Sequence, residues 1–144
     1  MKVREIMTSP AIRISPQATV EAAARTLTHY NIGILPVCTD DGTLCGLVTD
    51  RDLVTRCMAS GRMSSKTTVQ EVMTGRITAI SPDMSAYAAA QLMGSQQIRR
   101  LPVVERGKLT GMVSLGDLAK QAEMASDAAD ALVEITSNPM GFEG

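Results

Sequence analysis

Two short stretches of the sequence place a hydroxyl and a carboxylate at the same spacing. Thr49-Asp-Arg-Asp52 and Ser114-Leu-Gly-Asp117 each follow a hydrophobic run, with the Asp three residues after the Ser or Thr. A Ser/Thr N-cap with an acidic N3 residue is typical of a helix capping box. The same groups also suit a nucleotide, because a helix N-terminus attracts phosphate and a carboxylate accepts hydrogen bonds from ribose hydroxyls.

These two stretches belong to an internal repeat. Three motifs recur in order: Val3-Arg-Glu-Ile-Met-Thr8 as Val69-Gln-Glu-Val-Met-Thr74, Leu35-Pro-Val37 as Leu101-Pro-Val103, and Gly46-Leu-Val-Thr-Asp-Arg-Asp-Leu53 as Gly111-Met-Val-Ser-Leu-Gly-Asp-Leu118. The spacing is constant apart from one residue, which falls in the turn before the last motif. One unit has therefore been duplicated, and its two versions are called the first and second copy below.

Basic residues distinguish the copies. Arg99-Arg100 precede the Leu-Pro pair of the second copy, where the first copy has Gly33-Ile34. Guanidinium groups bind phosphate through fork-like hydrogen bonds, so we expect the second copy to hold phosphate more tightly. The alternative is that both arginines are solvated surface residues. Arg51, in place of Gly116, is a separate source of positive charge for the first copy.

Each copy is predicted to fold as βαββα. Short β-rich runs end at Ser-Pro, Thr19 and Ser85 are typical helix N-caps, and a tight turn joins the next two strands. The predicted ranges are Ala11–Ile14, Ile34–Thr39, Thr43–Val48 and Asp50–Ala59 in the first copy, and Ile77–Ile80, Arg100–Glu105, Lys108–Val113 and Leu115–Met124 in the second. The capped helices have apolar faces Val20, Ala23, Ala24, Leu27 and Ala86, Ala89, Ala90, Met93. The predicted fold class is α+β, with layered helices and strands.

Composition limits the partners and the chemistry. A net charge of −1 gives no bulk attraction to nucleic acid, which is not an expected partner. No run of eighteen apolar residues exists to span a membrane and the first ten residues lack a signal-peptide centre, so a cytoplasmic location is expected. His29 is the only histidine and the cysteines are Cys38, Cys45 and Cys57, so neither a catalytic cluster nor a metal site is expected. We therefore expect no enzymatic activity.

Together, the Gly-hydrophobic-hydrophobic-Thr/Ser-x-x-Asp strings, the hydrophobic-Pro-Val strands and the opening Val-x-Glu-hydrophobic-Met-Thr motifs resemble the cystathionine β-synthase (CBS) domains. CBS domains occur in tandem pairs called Bateman modules, and the resemblance covers residues 3–124. It implies two units packed about a pseudo-twofold axis. It also implies clefts that hold AMP, ADP, ATP or S-adenosylmethionine, and a homodimer, parallel or antiparallel.

The resemblance assigns ligand contacts residue by residue. Asp52 and Asp117 would bind ribose, Thr49 and Ser114 would face phosphate, and Ile12 and Thr78 would line the adenine pocket. The remaining expected contacts are Ile34, Asp50, Arg51, Arg99, Arg100, Leu115 and Gly116. No obligatory cofactor is expected.

Three hypotheses follow for the function. The first is a non-enzymatic regulatory module that binds an adenosyl ligand between the CBS units and signals to an unidentified regulated protein by a conformational or dimer-packing change. The second is a ligand-free oligomerisation or protein-interaction platform. The third is a redox-responsive module that uses Cys38 and Cys45, which flank one hairpin turn. The predicted boundaries are 1–59 and 69–125 for the units, 60–68 for a linker and 126–144 for a helical extension and tail.

Overall fold

A computed structural model describes residues 1–137 of the 144-residue chain. Its helices are α1 (Val20–Tyr30), α2 (Asp50–Asp52), α3 (Val69–Val72), α4 (Ala86–Gln96), α5 (Leu115–Ala119) and α6 (Ala125–Thr136). Its strands are β1 (Ile34–Cys38), β2 (Leu44–Thr49), β3 (Arg100–Glu105) and β4 (Lys108–Ser114). This mixture confirms the α+β class. Residues 138–144, which belong to the expected helical extension and tail, lie outside the described residues.

Two compact units make up the chain, and each combines parts of both sequence copies. Unit N comprises Ala11–Ile77 with Gly107–Leu109, and unit C comprises Met1–Pro10, Thr78–Arg106 and the described residues from Thr110 to Ser137. Residues 60–68, predicted as a linker, lie within unit N. There the Val20 N–H donates to the Thr67 carbonyl (2.8 Å).

Each unit takes its opening motif from the other sequence copy. In unit C, Thr8 and Met112 exchange backbone hydrogen bonds of 2.8 and 3.0 Å. In unit N, Thr74 and Leu47 do the same at 2.8 and 3.0 Å. The Met-Thr end of each opening motif thus runs antiparallel to the last strand of the other copy, so repeated motifs meet crosswise.

The hairpin strands form as predicted, but the short runs before them do not. In unit N, β1 pairs antiparallel with β2, with a bulge between Val37 and Cys38. The expected strand Ala11–Ile14 is a single parallel bridge from Ile14 to Val37, and Ile77–Ile80 is likewise one bridge from Ile80 to Val103. Each bridge stands directly before a Ser-Pro pair, and proline has no N–H to continue a ladder.

The two long helices begin where their caps predict. The Thr19 hydroxyl accepts from the Ala22 N–H, and the Ser85 hydroxyl accepts from the Ala88 N–H, both at 3.0 Å. Their predicted faces are buried with one exception: Ala90 of α4 is 1% exposed, whereas its counterpart Ala24 in α1 is exposed. The difference has a clear cause. Helix α6 packs on α4, and no helix in unit N packs in that way on α1.

The second helix of each copy departs from its prediction. Asp50–Met58 is helical over nearly the predicted range, but from Leu53 onward it is a π-helix. Leu115–Met124 is not one helix: α5 ends at Ala119, Gln121 is extended, and a 3₁₀ turn leads into α6. This break redirects the chain so that Met124 and Ala128 are buried in the core of unit C.

Both units have cores of small and branched apolar residues. Unit N buries Val20, Ala23, Leu27, Leu35, Val37, Val48, Cys57, Val69 and Val72, and unit C buries Val3, Ile80, Ala86, Ala89, Ala90, Met93, Leu101, Val103, Val113, Leu118, Met124 and Ala128. None of the helices between residues 1 and 137 has the length and apolar character needed to cross a membrane.

Candidate functional site

The Ser114–Asp117 loop is fixed by a complete capping box. The Ser114 hydroxyl accepts from the Asp117 N–H (3.0 Å), and the Asp117 carboxylate accepts from the Ser114 N–H (2.8 Å). The Thr49–Asp52 loop of unit N repeats this geometry at 3.1 and 3.0 Å. The structure therefore contains the capping arrangement that the spacing predicts, and it fixes both carboxylates beside their hydroxyls.

A cavity of about 500 Å³ opens beside this loop in unit C. Five residues predicted from the sequence line it together: Arg99, Arg100, Ser114, Leu115 and Gly116. The loop is tied to the arginine pair through the backbone, because the Leu115 N–H donates to the Arg99 carbonyl (2.8 Å). Strands β3 and β4 pair as a hairpin, so the chain lies next to Arg99 and Arg100 again when it reaches Ser114. The Ser114 hydroxyl and the two guanidinium groups therefore meet at one cavity.

The charge in this cavity is positive. The side chains of Arg99 and Arg100 are exposed, and within residues 1–137 neither guanidinium forms an ion pair or a hydrogen bond. Among residues 1–137, no acidic side chain lines the cavity. Two unpaired guanidiniums beside a hydroxyl can bind a phosphate or another small anion through charge-assisted hydrogen bonds.

Two of the predicted unit C contacts do not line this cavity. Asp117 adjoins it through the capping box, and its second carboxylate oxygen forms no hydrogen bond with a residue of the described chain. Thr78, expected to face adenine, is half-buried on the segment before Ile80.

The corresponding place in unit N has different chemistry. The Asp50 N–H donates to the Gly33 carbonyl (3.0 Å), which corresponds to the bond from Leu115 to Arg99 in unit C. Neither Asp50 nor Gly33 is basic. A side chain at Gly33 would begin only 3.3 Å from the Asp50 carboxylate. An acidic group therefore stands where unit C has two arginines, and this part of unit N does not favour phosphate.

Of the predicted unit N contacts, only Asp50 lines the groove of this unit. Asp50 lines a groove of about 910 Å³ between α1 and the helical segment Asp50–Met58, whereas Ile12, Ile34, Thr49, Arg51 and Asp52 do not. Asp52 lies 3.8 Å from the Arg56 guanidinium, an ion pair one helical turn along. Arg51 is exposed on the loop.

Sequence reasoning missed five cavity residues, Ala119 on α5 and four on α6: Ala125, Ala128, Ala129 and Leu132. The spacing of the four α6 residues, at three, four and seven positions, predicts a helix face, and the helical extension itself was expected. Nothing local indicates that this face turns toward Arg99 and Arg100, because the contact depends on how α6 packs on α4 and α5.

The surroundings of Cys38 and Cys45 favour the thiol over the thiolate. Burial raises the pKa of the Cys38 thiol, and it also raises the pKa of the Cys45 thiol. The Cys45 thiol lies at the β-bulge and donates to the Val37 carbonyl (3.2 Å). In residues 1–137, no three His, Cys, Asp or Glu side chains lie close enough together to hold a metal ion.

Comparison with known proteins identifies the family. The sequence profile of the CBS domain matches residues 3–59 and again residues 69–123. The chain belongs to the CBS-domain family. It contains two CBS domains in tandem, which confirms the recognition of a Bateman module from the sequence.

Two curated relatives match this CBS pair over nearly their whole length. The CBS domain-containing protein YhcV of Bacillus subtilis is 40% identical over 134 residues, which cover 93% of this chain and 94% of YhcV. Hypoxic response protein 1 of Mycobacterium tuberculosis is 31% identical over 139 residues, which cover 96% of this chain and 96% of that protein.

Solved structures of CBS proteins share the fold. Hypoxic Response Protein I, a structure with two coordinated zinc ions, matches with a TM-score of 0.78 at 31% identity over 84% of this chain and 98% of that one. CBSX2 in complex with AMP matches with a TM-score of 0.75 at 28% identity, over 87% of this chain and 98% of CBSX2. The CBS pair of MJ0100, in complex with 5′-methylthioadenosine and S-adenosyl-L-methionine, matches with a TM-score of 0.73 at 26% identity. This match covers 83% of this chain and 98% of that one. CBS pairs of this shape thus include proteins that bind adenosyl ligands.

Proposed function

We propose that this CBS pair is a regulatory module that binds an adenosine-containing ligand, with the ligand's phosphate in the arginine-lined cavity of unit C. The observation that carries the proposal is the convergence of Arg99, Arg100 and Ser114 on one cavity of about 500 Å³. The AMP complex of CBSX2 and the adenosyl complexes of MJ0100 support it, because both proteins resemble this chain over most of its length.

Charge favours AMP, ADP or ATP over S-adenosylmethionine in this cavity. A phosphate accepts paired hydrogen bonds from guanidinium groups, and its negative charge complements theirs. The sulfonium of S-adenosylmethionine carries a positive charge, which two nearby guanidiniums repel. The phosphate-bearing nucleotides are therefore the proposed ligands, and S-adenosylmethionine is the alternative within the same class.

The Asp117 carboxylate is the proposed ribose contact. One of its oxygens is used by the Ser114 N–H in the capping box. A carboxylate accepts about four hydrogen bonds, so the second oxygen can still accept from a ribose hydroxyl. The capping box thereby supports binding, since it holds the carboxylate in one place before the ligand arrives.

Unit N is proposed as the weaker phosphate site. Gly33 and Ile34 replace the arginine pair, and the Asp50 carboxylate lies beside Gly33. Arg51 is the only basic residue in the Thr49–Asp52 loop. A nucleotide in unit N would therefore have to bind with less phosphate recognition than one in unit C.

A ligand panel with matched arginine variants tests the proposal. AMP, ADP, ATP, S-adenosylmethionine and NADH would be added to the full chain and unfolding followed by thermal shift. A ligand at a hundredfold excess over Kd stabilises the native state by about 2.7 kcal/mol. Arg100→Ala should abolish most of the shift given by the best nucleotide, because a charge-assisted hydrogen bond contributes about 1.5–3 kcal/mol. Arg76→Ala, which removes an exposed arginine of unit N, is the control. No shift with any compound would overturn the proposal.

A second candidate function is an oligomerisation platform, favoured by the groove of unit N. This groove is largely apolar, and beside it Val54 is 52% and Met58 72% exposed. We propose that a second copy of the chain covers it, giving a homodimer whose packing a ligand could shift if it binds one arrangement more tightly. Met58→Glu should then give a monomer in light scattering, whereas Met63→Glu, exposed outside the groove, should leave the dimer intact. A monomeric wild-type chain would exclude this candidate.

A further inference from the structure

Helix α6 forms one wall of the arginine-lined cavity. Its cavity-lining residues Ala125, Ala128, Ala129 and Leu132 are uncharged, and three of the four are alanines. Ala128 is also part of the core at 3% exposure, whereas Ala125 and Ala129 are exposed. The two exposed alanines therefore have free space before them that belongs to the cavity.

The acidic residues of α6 are excluded from this wall. The helix contains Asp127, Asp130 and Glu134, and none of them lines the cavity. A carboxylate at the wall would attract the guanidiniums of Arg99 and Arg100 and compete with a bound anion. The helix thus lines the cavity with uncharged residues although a quarter of its residues are acidic.

The position of α6 is set by contacts away from the cavity. Gly94 of α4 allows a close approach: a side chain there would begin 2.6 Å from the Glu134 carboxylate and 3.4 Å from the Ala131 Cα. The Gln97 amide donates to the carbonyls of Glu134 (3.0 Å) and Ser137 (3.2 Å), which caps the end of the helix. The wall is therefore in place before any ligand binds.

We propose that Ala125 and Ala129 are specificity-determining residues of the ligand site. Their small, neutral side chains leave the space between α6 and the arginine pair open to an anionic ligand, so a larger or acidic residue there excludes it. This inference rests on the proposed function, because it assigns the second wall of the same site.

Two glutamate substitutions on α6, one that faces the cavity and one that lies outside it, test the inference. Ala129→Glu puts a carboxylate into the cavity, and Ser126→Glu adds the same charge to the same helix outside it. With AMP titrated calorimetrically into the full chain, Ala129→Glu should weaken binding at least tenfold and Ser126→Glu less than twofold. Ala129→Ser, which stays small and neutral, should weaken binding far less than Ala129→Glu does. Ala125→Glu repeats the test if Ala129→Glu fails to fold.

The outcomes separate the inference from the proposed function. If Arg100→Ala loses AMP binding and Ala129→Glu and Ala125→Glu do not, α6 is no part of the site and the inference fails alone. If the wild-type chain binds no AMP, the proposed function fails for this ligand and the inference falls with it. Loss in both glutamate variants, with Ser126→Glu unaffected, supports both.

Discussion

The carbonyl oxygen of Thr8 lies against Gly111, so close that a side chain at Gly111 would begin 2.7 Å from it. The same oxygen accepts a hydrogen bond from the Met112 N–H (3.0 Å), which fixes its position. Gly46 meets the Thr74 carbonyl in the same way in unit N, at 2.9 Å. The glycine of each Gly-hydrophobic-hydrophobic-Thr/Ser string is therefore required by the opening motif that crosses it.

We expect Gly111→Ala and Gly46→Ala each to destabilise the fold by about 1–3 kcal/mol, the usual cost of overpacking a close contact. The strain falls on backbone atoms, which cannot rotate away as a side chain can. Urea unfolding would measure the loss. Gly75→Ala is the matched control, because no atom lies within 4 Å of its Cβ position and it should change stability little. Equal stability of all three variants would contradict the crosswise docking of the opening motifs.

Local structure was predictable where one residue type decides it. Thr19 and Ser85 cap the helices they were expected to cap, and β3 has the predicted bounds Arg100–Glu105. The crosswise docking was not predictable, because a repeat shows which segments are alike and not which of them pair. The exposure of Ala24 was missed for a related reason: its burial depends on whether a distant helix covers it.

The lining of the candidate site was predictable in part. The sequence indicates the arginine pair and the Ser114 loop because charge and hydroxyl chemistry are visible in the residues themselves. The alanines of α6 were not assigned, since an alanine has no chemistry that indicates a ligand and its role comes only from its place in the packed unit. The break near Gln121, which sets that place, has no local signal of the strength of a proline.

The hairpin turn of unit N should make stability depend on pH in the acid range. The Asp41 carboxylate lies 2.8 Å from the Lys108 ammonium, and this hydrogen bond, with those from Thr39 and Thr43, holds the pKa of Asp41 well below its ordinary value. A lowered folded-state pKa stabilises the native state above the unfolded pKa of about 3.9, and this contribution is lost as the pH falls toward the folded value.

Asp41→Asn should therefore lower the melting temperature at pH 7 by more than it does at pH 2, so that the two melting curves converge in acid. Asp40→Asn removes the adjacent carboxylate, which forms no hydrogen bond or ion pair within the described chain, and should shift the curve far less. A constant difference between wild type and Asp41→Asn across this range would show that the ion pair is not formed in solution.

The raised thiol pKa values predict slow reaction of Cys38 and Cys45. Only the thiolate is nucleophilic, and each unit of pKa increase lowers its fraction roughly tenfold near neutral pH. Iodoacetamide should therefore label both residues more slowly in the native chain than in urea, as read by peptide mass spectrometry. Rapid native labelling, or a 38–45 disulfide under mild oxidation, would instead favour the redox-responsive hypothesis.

Substitutions at Asp52 and Asp117 separate the capping role of these carboxylates from the proposed ligand-binding role. Both accept the N–H of the residue three positions earlier, so Asp52→Ala and Asp117→Ala should each lower stability by about 0.5–2 kcal/mol, as lost helix caps do. Asp117 lies in the loop beside the arginine-lined cavity of unit C. Asp52 lies in the corresponding loop of unit N, where Gly33 and Ile34 replace the arginine pair.

AMP affinity should therefore fall at least tenfold in Asp117→Ala and less than threefold in Asp52→Ala, measured by calorimetry at a temperature where both variants are folded. The matched loss of stability removes the objection that weaker binding reflects partial unfolding. Equal loss of affinity in the two variants would place the nucleotide in both units alike, and the arginine pair would then not decide where phosphate binds.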